Sequence, residues 1–261
     1  NIITPLAVDR VEVSLVGGDM DEDSCTTPLP APFSLDDADD QDDTKCSNSS
    51  SNIPTNYSRA MMIQSVWKYL VAGRSRAKAS ASGAPSWQPS KIQQHLWSLL
   101  LMDSPWNTIG VAPTGSGKTL AYALPALVST YVTTTGDDSS AVLVLVPTRE
   151  LAQQVAKVFG GVCRAIAHVQ KNRWDKKNNV APASKSSTTM IPIVTVHGGA
   201  NRHRQKEELE AAATAGRAVV VATPGRLLDL INGRNGGDDN IKGEPTRLLP
   251  VFQWIILDEA D

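Results

Sequence analysis

Apolar residues along this chain fall into short runs, and the spacing within the runs changes from one part of the chain to the next. Residues 58–71 carry Met61, Met62, Ile63, Val66, Trp67 and Leu70 at helical spacing. Residues 92–101 form a second helical run, opened by Pro89 and Ser90. Between them, 73–86 is rich in Gly, Ser, Ala and Arg and reads as a linker. Residues 107–111 are strand-like, and 119–132 are largely apolar and helix-length. From there the pattern alternates. The near-continuous apolar run 141–146 predicts a strand buried on both faces. Helix 148–159, strand 191–196, helix 204–213, strand 218–222, helix 224–231 and strand 252–257 follow. This βαβα succession predicts an α/β fold, a mostly parallel sheet with helices on both faces joined by right-handed crossovers. The polar stretches 171–189 and 232–246 read as surface loops.

The run Ala112-Pro113-Thr114-Gly115-Ser116-Gly117-Lys118-Thr119 lies between the strand-like 107–111 and the helix-length 119–132, which is the setting a phosphate-binding loop requires. Gly115 and Gly117 let the backbone turn its N–H groups inward as anion donors. Lys118 adds a point charge for the β- and γ-phosphates, and the Thr119 hydroxyl is placed to ligate Mg²⁺. The helix that follows directs its positive end at the same anion. Ala112 occupies the first glycine position of the Walker A spacing.

The net charge of −2 conceals an asymmetry. Residues 1–50 hold 12 acidic and 2 basic side chains, and the rest of the chain 15 acidic and 23 basic, leaving a moderately basic body suited to a polyanion. Acidic runs at 19–23 and 36–43 and polar low complexity at 47–52 predict that 1–56 is mostly disordered, although 11–16 alternates weakly enough to admit a strand. The folded body is then 57–261. The tail is compatible with a protein-binding arm, a self-inhibitory mimic of the polyanion or a plain linker. Cys25, Cys46 and Cys163 have no metal-ligand spacing and read as reduced thiols of an intracellular protein, with nucleus, nucleolus and cytoplasm left open. No apolar run approaches the ~20 residues of a membrane span, so no membrane partner is expected.

The chain closes on Asp258-Glu259-Ala260-Asp261, delivered by the strand 252–257. Carboxylates at the carboxyl end of a strand are where α/β sheets place ligand chemistry. Asp258 fits a residue that holds Mg²⁺ through water, and Glu259 one that orients and polarises an attacking water.

Five motifs in order, Gly115-Ser116-Gly117-Lys118-Thr119, Pro147-Thr148-Arg149-Glu150-Leu151, Gly198-Gly199, Thr223-Pro224-Gly225-Arg226 and Asp258-Glu259-Ala260-Asp261, resemble the first RecA-like domain of a DEAD-box RNA helicase over about 60–261. The resemblance implies a RecA-like P-loop NTPase domain, with ATP and Mg²⁺ as cofactors and RNA as partner. It implies catalytic roles for Lys118, Asp258 and Glu259, and ATP binding by Ala112, Thr114, Gly115, Ser116, Gly117, Lys118 and Thr119. The segment 89–93 resembles the Q motif, whose glutamine, here Gln93, bonds the adenine edge while an upstream aromatic, Trp67 or Tyr69, stacks on it. Lys91 and Pro85 depart from that motif, which usually has a proline and a glycine there. Thr148, Arg149, Gly199, Thr223 and Arg226 match RNA-contacting positions. Arginine forks, close-approach glycines and helix N-termini grip sugar–phosphate, which predicts sequence-independent binding. The Ser-Ala-Thr motif and the second RecA-like domain, which supplies arginine fingers, do not occur in these 261 residues. The chain alone is therefore expected not to unwind RNA. Two other readings stay open: a non-catalytic RNA-binding or scaffold protein that kept the fold, and a superfamily-two DNA helicase.

Overall fold

The computed structural model describes residues 2–8, 11–16, 55–77, 88–100, 107–132, 140–178, 191–232 and 249–259. The chain forms two compact units, Asn1–Ser129 and Thr130–Asp261.

In the first unit, β1 (Ile2–Val8) and β2 (Val11–Val16) form an antiparallel hairpin, and β2 pairs antiparallel with β3 (Asn107–Val111). The expectation that 1–56 is mostly disordered admits a strand at 11–16, where β2 lies, and β1 adds a second strand at Ile2–Val8. The weak alternation of 11–16 becomes a strand because β3 supplies a partner edge, with Glu12 opposite Val111 and Val16 opposite Asn107. Residues 17–54, with both acidic runs, lie outside the described residues. Helix α1 (Thr55–Ala77) continues through the first residues of the expected linker, and the rest of that linker is not described. Helix α2 (Lys91–Leu100) buries Ile92 and Leu96 with Ala112 and Ala121, so one apolar stripe seats it against the root of the phosphate loop. Trp67 of α1 and Trp97 of α2 meet edge to face, ring centroids 5.5 Å apart at 67°, a favourable aromatic arrangement. Helix α3 (Lys118–Val132) begins inside the loop motif.

The second unit holds the parallel sheet. Strands β4 (Ala141–Leu145), β5 (Ile193–Val196), β6 (Val219–Ala222) and β7 (Phe252–Leu257) lie in the order β5-β6-β4-β7, all parallel. On one face, α5 (Arg202–Ala215) and α6 (Pro224–Ile231) bury Leu209, Ala212, Leu227 and Leu230 against Leu143, Val194, Val196, Val220 and Ala222. Each of these leucine and valine side chains contributes about 1.5–3 kcal/mol on burial. On the other face lies α4 (Arg149–Asn178), whose Gly160 sits beside Ile193. Helices on both faces follow as expected. Helix α4 runs well past residue 159 and takes in part of the polar stretch read as a loop, because Val162, Cys163, Ile166 and Val169 keep one face buried. Strand β7 is not buried on both faces. It is an edge strand, and Ile255 and Leu257 are 67% and 63% exposed.

Burial pushes the Cys163 thiol up to about 11 and the Tyr131 phenol up to about 12. Both groups are neutral when protonated and deprotonate earlier in the unfolded chain, near 9 for the thiol and 10 for the phenol. Stability linked to them is therefore complete below pH ~9 and is lost as pH climbs toward ~12. Urea midpoints should fall between pH 8 and 10.5, and fall less in Cys163→Ala, where only the phenol still titrates. Equal losses in the two proteins would contradict this.

Candidate nucleotide and nucleic-acid sites

The phosphate loop is built by glycine conformation and one helix start. Gly115 and Gly117 take φ of +77° and +88°, a region that costs other residues ~1–2 kcal/mol. The turn is closed by Ser116 N–H donating to Pro113 O at 3.3 Å, and Ala121 N–H donates to Gly117 O at 3.1 Å as α3 begins. Lys118 Nζ donates to Ala112 O at 2.8 Å, which holds the ammonium across the loop. The Ser116 hydroxyl is buried with no hydrogen-bond partner. Inward-turning glycines, an ammonium, an orphaned hydroxyl and a helix N-terminus make a donor set that fits a polyphosphate. Thr119 lies in the first turn of α3, where a hydroxyl beside the phosphates fits a Mg²⁺ ligand.

Gln93 belongs to this cradle more closely than its sequence position shows. It is only 5% exposed. Its Oε1 accepts from Ser90 N–H at 3.0 Å, and its Nε2 donates to Gly117 O at 3.2 Å. The amide thus ties the start of α2 to the loop, leaving one N–H and one lone pair for an adenine edge. A Cβ on Gly117 would lie 2.4 Å from that Nε2. Of the two candidate aromatics, Trp67 is committed to the core beside Trp97, while Tyr69 is 41% exposed.

In the second unit, three of the predicted RNA motifs and the acidic motif share one edge of the sheet. Thr148 follows β4, Gly199 follows β5, Thr223 follows β6 and Asp258 follows β7, so all lie at carboxyl ends of adjacent parallel strands. This is the edge where open α/β sheets bind ligands. Thr148 Oγ1 accepts from Leu151 N–H at 3.2 Å and caps α4. Arg149 is exposed and ion-paired with Glu150; their hydrogen bond holds the carboxyl below its usual range and raises the guanidinium. Gly199 has φ +83°, and a Cβ there would lie 3.6 Å from Arg149 Nη1, so the glycine turn and this arginine are neighbours. Thr223 precedes Pro224, the first residue of α6, and its N–H donates to Val196 O at 2.9 Å.

Arg226 is the exception. Its Nε donates to Gln205 Oε1 at 3.0 Å and its Nη2 to Ala200 O at 2.5 Å, so most of its fork is turned into the protein. Sequence position alone marked it as an RNA contact. Gln205, which it grips, carried no signal beyond its place on α5. Asp258 N–H donates to Leu145 O at 3.0 Å and registers the carboxylate at the end of β7. Glu259 has φ +53°, the only positive φ outside glycine among the described residues. Backbone held in that region is a frequent mark of a functional position.

A strand–loop–helix phosphate cradle and a parallel sheet with motif residues along its carboxyl edge define a P-loop α/β protein. The chain belongs to the DEAD/DEAH box helicase family, whose model matches residues 90–261. It is 36% identical over 173 residues to ATP-dependent RNA helicase DBP3 of Scheffersomyces stipitis, covering 66% of this chain and 25% of that protein. It is 33% identical over 178 residues to ATP-dependent RNA helicase p62 of Drosophila melanogaster, covering 66% of this chain and 19% of the relative. Among solved structures, the yeast DEAD-box splicing factor Prp28 is 26% identical with a TM-score of 0.44, covering 67% of this chain and 33% of that one. The chain thus spans about a quarter or less of the length of these two curated relatives.

Proposed function

We propose that this chain is the ATP- and RNA-binding first RecA-like domain of an ATP-dependent RNA helicase. The observation that carries this reading is the gathering of Thr148, Arg149, Gly199 and Thr223 at the carboxyl ends of three adjacent parallel strands. Lys118 and the loop amides hold the phosphates. Thr119 ligates Mg²⁺ beside the loop, and at the end of β7 Asp258 and Glu259 are the residues the family resemblance implies for holding Mg²⁺ through water and orienting the attacking water. The carboxyl-edge residues grip the sugar–phosphate of a single strand, with contacts to 2′-hydroxyls selecting RNA over DNA. In the whole protein, ATP hydrolysis is coupled to separation of short RNA duplexes. The 261-residue chain by itself binds both ligands without unwinding, since an arginine finger is worth about 10³–10⁵ in rate in related phosphoryl transfer. The acidic sequence at 19–23 and 36–43 is a candidate for recognition by basic protein partners.

A salt titration of RNA binding tests this. The chain should bind mixed-sequence single-stranded RNA indifferently to base order, with log K falling linearly as log salt rises. Arg149→Ala should lower the magnitude of that slope by about 0.7, the contribution of one phosphate contact. Absence of binding would overturn the proposal, and equal affinity for DNA of the same sequence would favour a DNA helicase or translocase.

A further inference from the structure

Both carbonyls flanking the Gly198-Gly199 pair are held by one partly buried polar assembly. Gln205 is 3% exposed. Its Nε2 donates to His197 O at 3.1 Å, and its Oε1 accepts from Arg226 Nε at 3.0 Å. Arg226 Nη2 then donates to Ala200 O at 2.5 Å. Carbonyls on each side of the glycines are thereby drawn toward α5 and α6. A trans peptide is planar, with its N–H opposite its C=O, so the Gly198 and Asn201 N–H groups are turned away from the assembly. Both of those residues are exposed. Two further bonds fix the frame around it. Thr223 N–H donates to Val196 O at 2.9 Å, and Arg202 Nη2 donates to Asp229 O at 2.8 Å, joining the start of α5 to α6.

We propose that Gln205 and Arg226 are positioning residues for RNA binding. By clamping His197 O and Ala200 O, they present the amides of the glycine turn, next to Arg149, as donors to a backbone phosphate. Arg226 acts through the turn. This inference rests on the RNA-binding reading of the same edge.

The discriminating variants are Gln205→Leu, which removes both side-chain bonds, and Gln205→Glu, which still accepts from Arg226 but cannot donate to His197 O. Binding of single-stranded RNA and of Mg-ATP by the 261-residue chain is measured across a salt series, with circular dichroism confirming the fold. Gln205→Leu should bind RNA roughly tenfold more weakly, about the worth of one charge-assisted hydrogen bond. Its salt slope should also be reduced, because a phosphate no longer seated on the turn is lost to the neighbouring Arg149 cation as well, and its Mg-ATP affinity unchanged. Gln205→Glu should fall between it and the wild type, and it serves as the test if the leucine variant does not fold. A purely structural role would lower the melting temperature and leave the salt slope in place. Wild-type RNA affinity and slope in a folded Gln205→Leu or Gln205→Glu would overturn the inference alone. No RNA binding by the wild-type chain would instead overturn the proposed function beneath it.

Discussion

Replacing Lys118 by alanine should lower ATP turnover of the full-length protein on the order of 10²–10³-fold, the usual cost of removing one donor from developing phosphate charge. The fold should survive the change. Lys118 is half-buried and its bond within the protein is to Ala112 O, so its loss costs about 0.5–1.5 kcal/mol of stability. Binding of single-stranded RNA should be unaffected, because Thr148, Arg149, Gly199 and Thr223, the residues proposed to grip RNA, lie on other elements. Turnover and RNA affinity measured on the same preparation check both halves. Persistent turnover would mean that hydrolysis takes place elsewhere in the protein.

Gly117→Ala should be as damaging to nucleotide binding, for a different reason. Alanine at φ +88° costs ~1–2 kcal/mol by itself. Its Cβ would also meet Gln93 Nε2 at 2.4 Å. A glutamine end can usually swing aside, but this one is buried and bonded to both Ser90 N–H and Gly117 O. Moving it forfeits about 0.5–1.5 kcal/mol for each bond. A loss of roughly 2–5 kcal/mol in thermal or urea unfolding follows, together with displacement of the residue implied to read adenine. Gly115→Ala is the internal control. Its φ is +77° but no atom lies within 4 Å of the added Cβ, so only the conformational cost of ~1–2 kcal/mol applies. Equal losses in the two variants would show that Gln93 does not brace the loop.

Much of the second unit is legible from the chain because its strands are short apolar runs bounded by turn residues. The bounds of α6 and β7 agree with the hydrophobic pattern residue for residue. The end of α4 was not legible. Its last turns are polar, and no apolar spacing distinguishes a solvated helix from a loop there. Only the β2 half of the β1–β2 hairpin was legible, and weakly, for a related reason. Its strands precede acidic, polar sequence, and the partner edge on β3 is about ninety residues away in the chain. Site residues divide the same way. Lys118, Thr119, Arg149 and Thr223 announce themselves through motif spacing. The two-sided role of Gln93 and the inward turn of Arg226 depend on partners 24 and 21 residues distant, which only the folded chain brings together.

The most direct measurement is ATP hydrolysis by the full-length protein containing this chain, with and without single-stranded RNA, beside its Lys118→Ala variant. RNA should raise turnover in the wild type and leave the variant near background. Turnover that is indifferent to RNA, or that survives loss of Lys118, would contradict an RNA helicase working through this phosphate loop.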